Sequence, residues 1–278
     1  MNPEKKLASP TVKIIPLPSS RELLEKSWLM YRAKLRVIVL VSLLGVIPSL
    51  VAAILLAVIA AQFGQQANFL VINSSLALLM MLLLVYVSFR INIAIYLIVG
   101  QKISSIREAW QVAGKYFWSY TLTMLWMGAM LALWFLLLVV PGFIFLVFYS
   151  LVAWVFFIEN YHGYAAIKRS RELITGYWKP VALRLLALFV PFFVLSILVD
   201  SFKNQSTADF ISSIINFFFG IFVTIYTYQL YQHLAKIKGP SKIIQRPYQP
   251  WAYVLTVLAY ILLMIALYLF VVFSPRFN

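Results

Sequence analysis

Residues 37–61 read VIVLVSLLGVIPSLVAAILLAVIAA, without a single charge. A helix that crosses the hydrocarbon core of a bilayer needs about 20 mostly apolar residues, so this stretch sets the solvent of the chain as lipid. The pattern recurs at Phe69–Phe89, Tyr120–Val140, Phe143–Ile158, Val181–Leu198, Phe210–His233 and Trp251–Phe273. The whole chain is 63% hydrophobic and 11% charged, where a soluble domain carries about 25% charged residues. A soluble fold of this length has no way to bury seven helices that are apolar all round. The first run is too long for the core of a secretory signal, so it is expected to stay as a helix.

The net charge of +15 would suggest nucleic acid in a soluble protein. Its distribution points instead to topology. Lys and Arg crowd into residues 1–36, 100–119, 159–184 and 234–250, and the segments between are almost bare: Lys203 is the one cation of residues 199–209, and Arg276 that of the tail. Basic and uncharged segments alternate, which by the positive-inside rule places the N-terminus and the basic loops in the cytoplasm and the C-terminus outside. Nucleic acid is not an expected partner. Anionic lipid headgroups are, at about 1 kcal/mol for each Lys or Arg near the surface.

Residues 1–19 are polar and proline-dotted and are expected to be a disordered cytoplasmic leader. Amphipathic stretches near residues 20–35, 103–117 and 162–177 each lead into a spanning run. In the first, Leu24, Trp28, Tyr31 and Leu35 recur at helical spacing with the charges elsewhere, the pattern of a helix lying in the headgroup plane. Leu24, Ile106 and Ile167 superpose across the three stretches, a weak internal repeat. The expectation is an all-α transmembrane bundle. Residues 20–235 form six spans in three repeated hairpin units, residues 236–250 a basic cytoplasmic loop, and residues 251–274 a seventh span.

Around the fourth loop the sequence runs Val139-Val-Pro141-Gly142 into an apolar helix that closes in Phe157-Ile-Glu159. Gly163, Ala166-Ile-Lys168-Arg169-Ser170, Leu173, Gly176 and Trp178 follow. This resembles the membrane-domain family of glycerophosphoryl diester phosphodiesterases and the related YciC-like bacterial inner-membrane proteins, over roughly residues 20–235. The resemblance implies a six-helix bacterial inner-membrane domain with cytoplasmic interfacial helices and no established activity. The run at 251–273 departs from its six-span pattern.

Phosphodiesterase chemistry would need a separate soluble domain with clustered histidines and carboxylates, and the chain has no stretch free to form one. Cysteine is absent and histidine is limited to His162 and His233, so thiolate sites are excluded and a His-rich metal site is not expected. No Glu or Asp pair stands near either histidine in a ligand spacing, and no phosphate-cradling glycine loop or nucleophile elbow occurs. No cofactor and no enzymatic activity are expected.

The polar candidates are structural. Arg90, near the end of the second run, is expected to pair with Glu159, or Glu159 with Lys168 or Arg169. Pro141–Gly142 is expected to be the tight turn joining two spans. Lys168, Arg169 and Arg171 are expected to face lipid headgroups. Asn73, Ser74, Ser75 and Asn92 can bond neighbouring helices, Asp200 can pair with Lys203, and Pro48 and Pro191 are prolines tolerated within spans. The leading reading is a non-enzymatic membrane protein acting through a basic, aromatic cytoplasmic face on anionic lipid or a membrane-protein partner. A transporter or permease subunit for a small or lipid-like solute is the alternative, and an enzyme on lipid substrates the third.

Overall fold

The computed structural model describes residues 17–63, 67–103, 105–201, 205–241 and 243, with the isolated positions 251, 254, 255 and 258. Most of the leader, the segment 244–250 and most of the last apolar run lie outside the described residues. So do Lys203 and the side chains of Pro48, Asn73, Ser74, Ser75 and Asp200. Among the described residues the ordered elements are eight helices: α1 Ser20–Phe63, α2 Ala67–Val99, α3 Ile106–Leu137, α4 Val139–Tyr149, α5 Val152–Glu159, α6 Gly163–Ile174, α7 Trp178–Asp200 and α8 Gln205–Lys238.

Five stretches among the described residues are long and apolar enough to cross a membrane: Leu79–Val99, Ile106–Leu137, Val139–Glu159, Trp178–Val199 and Thr207–Lys238. The chain is therefore a multi-pass membrane protein, all-helical among the described residues. The run 37–61 is helical within α1.

The helix ends follow local chemistry. The Ser19 hydroxyl accepts a hydrogen bond from the Glu22 amide at 3.1 Å, capping α1 in a Ser-x-x-Glu pattern. Asn160, with φ of 60°, closes α5, as left-handed residues commonly close helices. Gly176 does the same after α6 at φ of +87°, a conformation that costs about 1–2 kcal/mol with a Cβ present.

Two of the three amphipathic stretches are not separate interfacial helices. Residues 20–35 are continuous with the apolar run inside α1, and residues 106–117 with theirs inside α3. The first junction holds no glycine or proline to stop the helix, and the lone Gly114 of the second stays within α3. In the third, Thr175 and Gly176 break the chain and free α6 as its own element. The packed face of α1 also differs from the expected aromatic stripe. Leu23, Ser27, Tyr31 and Ile38 are buried, while Leu24 and Trp28 are exposed.

The expected turn at Pro141–Gly142 lies one step earlier. Leu138 is extended, with φ of −157° and ψ of 126°, and the chain reverses there. Pro141 occupies the first turn of α4, where a missing N–H costs nothing. Gly142 allows α3 and α4 to approach closely, since a Cβ there would sit 2.5 Å from the Phe135 ring.

The helices pack in the order α1 on α2 and α8, α2 on α3, α3 on α4 and α7 on α8. The α7–α8 pair is antiparallel: Tyr226 donates to the Arg184 carbonyl at 3.5 Å, and Phe192 stacks on Phe219 with ring centroids 3.7 Å apart. Where α2, α3 and α5 converge, Tyr96, Tyr120, Trp154 and Phe157 form an aromatic cluster. Trp154 donates from Nε1 to the Thr227 hydroxyl at 3.0 Å, fastening the cluster to α8.

Candidate functional site

The return arm of the α3–α4 hairpin breaks at Ser150–Leu151, where the Ser150 amide turns back to the Val147 carbonyl at 3.2 Å. A broken helix frees backbone carbonyls, and a buried free carbonyl is costly. Ser170 on α6 answers this: its hydroxyl donates to the Phe148 carbonyl at 2.7 Å. At the start of α6 the Gly163 amide donates to the Thr123 hydroxyl of α3 at 3.0 Å. Ala166, Ile167, Arg169, Ser170, Leu173 and Ile174 are all buried. Ala166, Arg169, Ser170 and Leu173 fall at offsets of three, four and seven, one face of a helix. The Ala…Arg-Ser…Leu pattern is thus the packing face of α6.

Arg169 is the hub of that face, only 1% exposed. Its Nε donates to Glu159 Oε2 at 2.7 Å, its Nη2 to the Gly239 carbonyl at 2.6 Å, and its Nη1 ion-pairs with Glu172 at 3.3 Å. The other oxygen of Glu159 accepts from the Tyr231 hydroxyl at 3.0 Å. Ser241 donates to Glu172 at 3.0 Å. One buried cation thereby joins α5, α6, the end of α8 and the segment beyond it. Burial works against the charge of Arg169, but the hydrogen bond and charge of Glu159, with Glu172 behind, more than offset it and raise its pKa above the ordinary value.

Three expectations change here. Arg90 does not meet Glu159; its guanidinium lies over the Trp110 ring at 4.2 Å from the centroid and donates to the Trp110 carbonyl and to Tyr86. A cation on α2 thus finds its partner in the aromatic face of α3 that packs on it. Glu159 takes Arg169, one of its two alternatives. Arg169 cannot face lipid, because its guanidinium is enclosed. Only Lys168 and Arg171, on either side of it, remain exposed.

Other cations are also spent inside the protein. Lys34 of α1 donates to the carbonyls of Ile98 and Val99 at the end of α2, a favourable place for positive charge; burial pushes its amine pKa down. Arg184 reaches from α7 to the Pro18 carbonyl at 2.6 Å and to Leu17 at 3.3 Å, holding the chain ahead of α1.

Beside the hub, α3, α4 and α6 enclose an open cleft of about 390 Å³. Met130, Trp134, Phe145 and Tyr149 form its floor, and Lys168, Arg171, Glu172 and Thr175 line its wall. Trp134 and Phe145 stack at 4.1 Å, and the Arg171 guanidinium stands 6.0 and 5.8 Å from the Phe145 and Phe148 ring centroids. Among the described residues no three His, Asp or Glu side chains gather to hold a metal ion.

Sequence reasoning missed Tyr231, whose hydroxyl finds its partner on another helix. It missed Gly239, whose role belongs to its carbonyl and leaves no trace in residue type. An Arg ten residues after a helix-ending Glu was the sequence signal of the hub. No family model, no curated protein and no solved structure matches the chain.

Proposed function

We propose that this chain is a non-enzymatic bacterial inner-membrane protein that works by holding anionic lipid headgroups on a basic cytoplasmic face. The observation that supports it is a surplus of exposed positive charge at one end of the bundle. Lys238 over the Tyr177 ring and Arg184 on Pro18 bring together the start of α1, the start of α7 and the end of α8, and Lys34, further along α1, meets the end of α2. At this end Arg32, Arg36, Lys102, Lys179 and Lys236 are exposed and, among the described residues, in no ion pair. Such a surface meets the negative potential of a cytoplasmic leaflet. Kinship with the glycerophosphoryl diester phosphodiesterase membrane-domain family is part of this reading and rests on the residues from Val139 to Trp178. The orientation, N-terminus inside, rests on the alternation of basic segments.

Native mass spectrometry of the detergent-purified protein tests it. Retained lipid should be enriched in phosphatidylglycerol over phosphatidylethanolamine, and replacing Arg32, Arg36, Lys179 and Lys236 with Gln should reduce that enrichment. Retention without regard to headgroup charge would sink the reading.

A further inference from the structure

The cleft between α3, α4 and α6 has the chemistry of a site for one lipid molecule. Its volume of about 390 Å³ lies in the range of small-molecule sites, roughly 300–1,000 Å³. Lys168 and Arg171 are three residues apart on α6 and so share a face. Both are exposed, and among the described residues neither has a carboxylate partner. The one acid of the wall, Glu172, is committed to Arg169 at 3.3 Å and to Ser241 at 3.0 Å. The wall therefore presents two available cations and a carboxylate already matched by the buried guanidinium behind it. The Arg171 guanidinium stands beside the Phe145 and Phe148 rings and is exposed.

The floor asks for something a free anion lacks. Trp134, Phe145 and Met130 line the same cleft as the cations and offer apolar surface. A ligand that satisfies both is an amphiphile with its charge at the junction of polar and apolar parts. The space is too small for two acyl chains, so these must leave it. An exit lies beside it: Leu137, one turn beyond Trp134, is 60% exposed, and Val140 and Phe143 at the hairpin tip are 70% and 60% exposed.

We propose that this cleft binds a single anionic phospholipid, with its phosphodiester between Lys168 and Arg171, its glycerol and ester region on Trp134 and Phe145, and its chains running out over the hairpin tip. The site rests on the reading of a lipid-holding basic face and names where on that face one molecule is held.

The test uses the full chain in phosphatidylcholine nanodiscs, with phosphatidylglycerol carrying a photoactivatable diazirine close to the acyl ester. Adducts are mapped by peptide mass spectrometry. The expected result is labelling concentrated between Met130 and Phe148. Excess unlabelled phosphatidylglycerol should remove it, while excess phosphatidylcholine or inorganic phosphate should not. The double variant K168Q/R171Q, altered only at exposed positions, should weaken labelling roughly tenfold or more, given about 1 kcal/mol per cation. The pair R107Q/K115Q, exposed on α3 and about 20 Å or more along that helix from Met130, should leave it unchanged.

Labelling that prefers phosphatidylglycerol but maps elsewhere on the basic face would overturn the cleft and leave the broader function standing. Labelling indifferent to headgroup charge everywhere would overturn both. Removal of the label by inorganic phosphate would make the occupant a soluble anion and overturn the lipid.

Discussion

Arg169 carries the highest stakes of any side chain described. A buried pair is a poor source of net stability, but breaking one partner leaves an uncompensated buried charge, at a cost of about 3–5 kcal/mol. Glu159→Gln should therefore lower the thermal midpoint in detergent sharply. Replacing Glu159 and Arg169 together by Leu and Met should recover much of the loss, because no charge is then stranded. A double variant as unstable as the single one would show that the ion pair itself, rather than the stranded charge, matters. Tyr231 and Gly239 could not be found from sequence, because a hydroxyl in an aromatic belt and a backbone carbonyl carry no mark of a partner 72 or 70 residues away. The Glu159–Arg169 contact was within reach, since the two are ten residues apart across a single turn.

His162 supplies a titration at the same scale. It packs edge-on against Phe156, with ring centroids 4.8 Å apart, and burial lowers its pKa despite an opposing hydrogen bond with the Asn160 backbone. A base whose folded pKa is depressed binds fewer protons than in the unfolded chain. Its contribution is therefore complete above the unfolded value, about 6.5, and is lost as the pH falls through it. The gap in thermal midpoint between the wild-type chain and His162→Asn should change between pH 8 and pH 5 (about 1.5 units either side of 6.5), with the wild type losing more on acidification. A gap independent of pH would place the acid sensitivity elsewhere.

At the scale of elements, α6 is an internal strut. Ser170 satisfies a carbonyl that the α4–α5 break exposes, so Ser170→Ala should cost about 1–3 kcal/mol, the penalty of a stranded buried acceptor. Ser170→Thr, which keeps the hydroxyl, should cost less if the larger side chain is accommodated. Thermal unfolding of the two variants side by side checks the order. Composition made the apolar helices legible, because about 20 uncharged residues leave a chain few other options. The break at Ser150 was not legible, since neither glycine nor proline marks it and the bond that stabilises it comes from another helix. The continuity of α1 and α3 was missed for a related reason: a change from amphipathic to apolar character alters what a helix faces, not whether it continues.

For the whole molecule, the sidedness read from charge has a clean assay. With no native cysteine, a single introduced thiol is the one target for a membrane-impermeant maleimide. Ser241→Cys should react only from the cytoplasmic side and Lys203→Cys only from the other. Reaction of both from one face would overturn the topology. The bundle itself gains little from a hydrophobic drive between helices in lipid, so close packing and hydrogen bonds must hold it. Gly142 against Phe135 and Trp154 on Thr227 are such contacts, and neither could be placed without knowing which helices are neighbours.

The Ser170–Phe148 hydrogen bond spans 22 positions of chain, and that separation is also an interval of time. A ribosome adds about 5–20 residues each second, so Phe148 is made roughly one to four seconds before its partner exists. The two residues leave the ribosome with the same lag, so the nascent hairpin reaches the insertion machinery with its carbonyl unanswered. Water, a lipid headgroup or the machinery itself must stand in until α6 arrives. Slowing translation once Phe148 has left the ribosome but Ser170 has not should therefore lower the yield of folded protein more than the same pause placed after both have left.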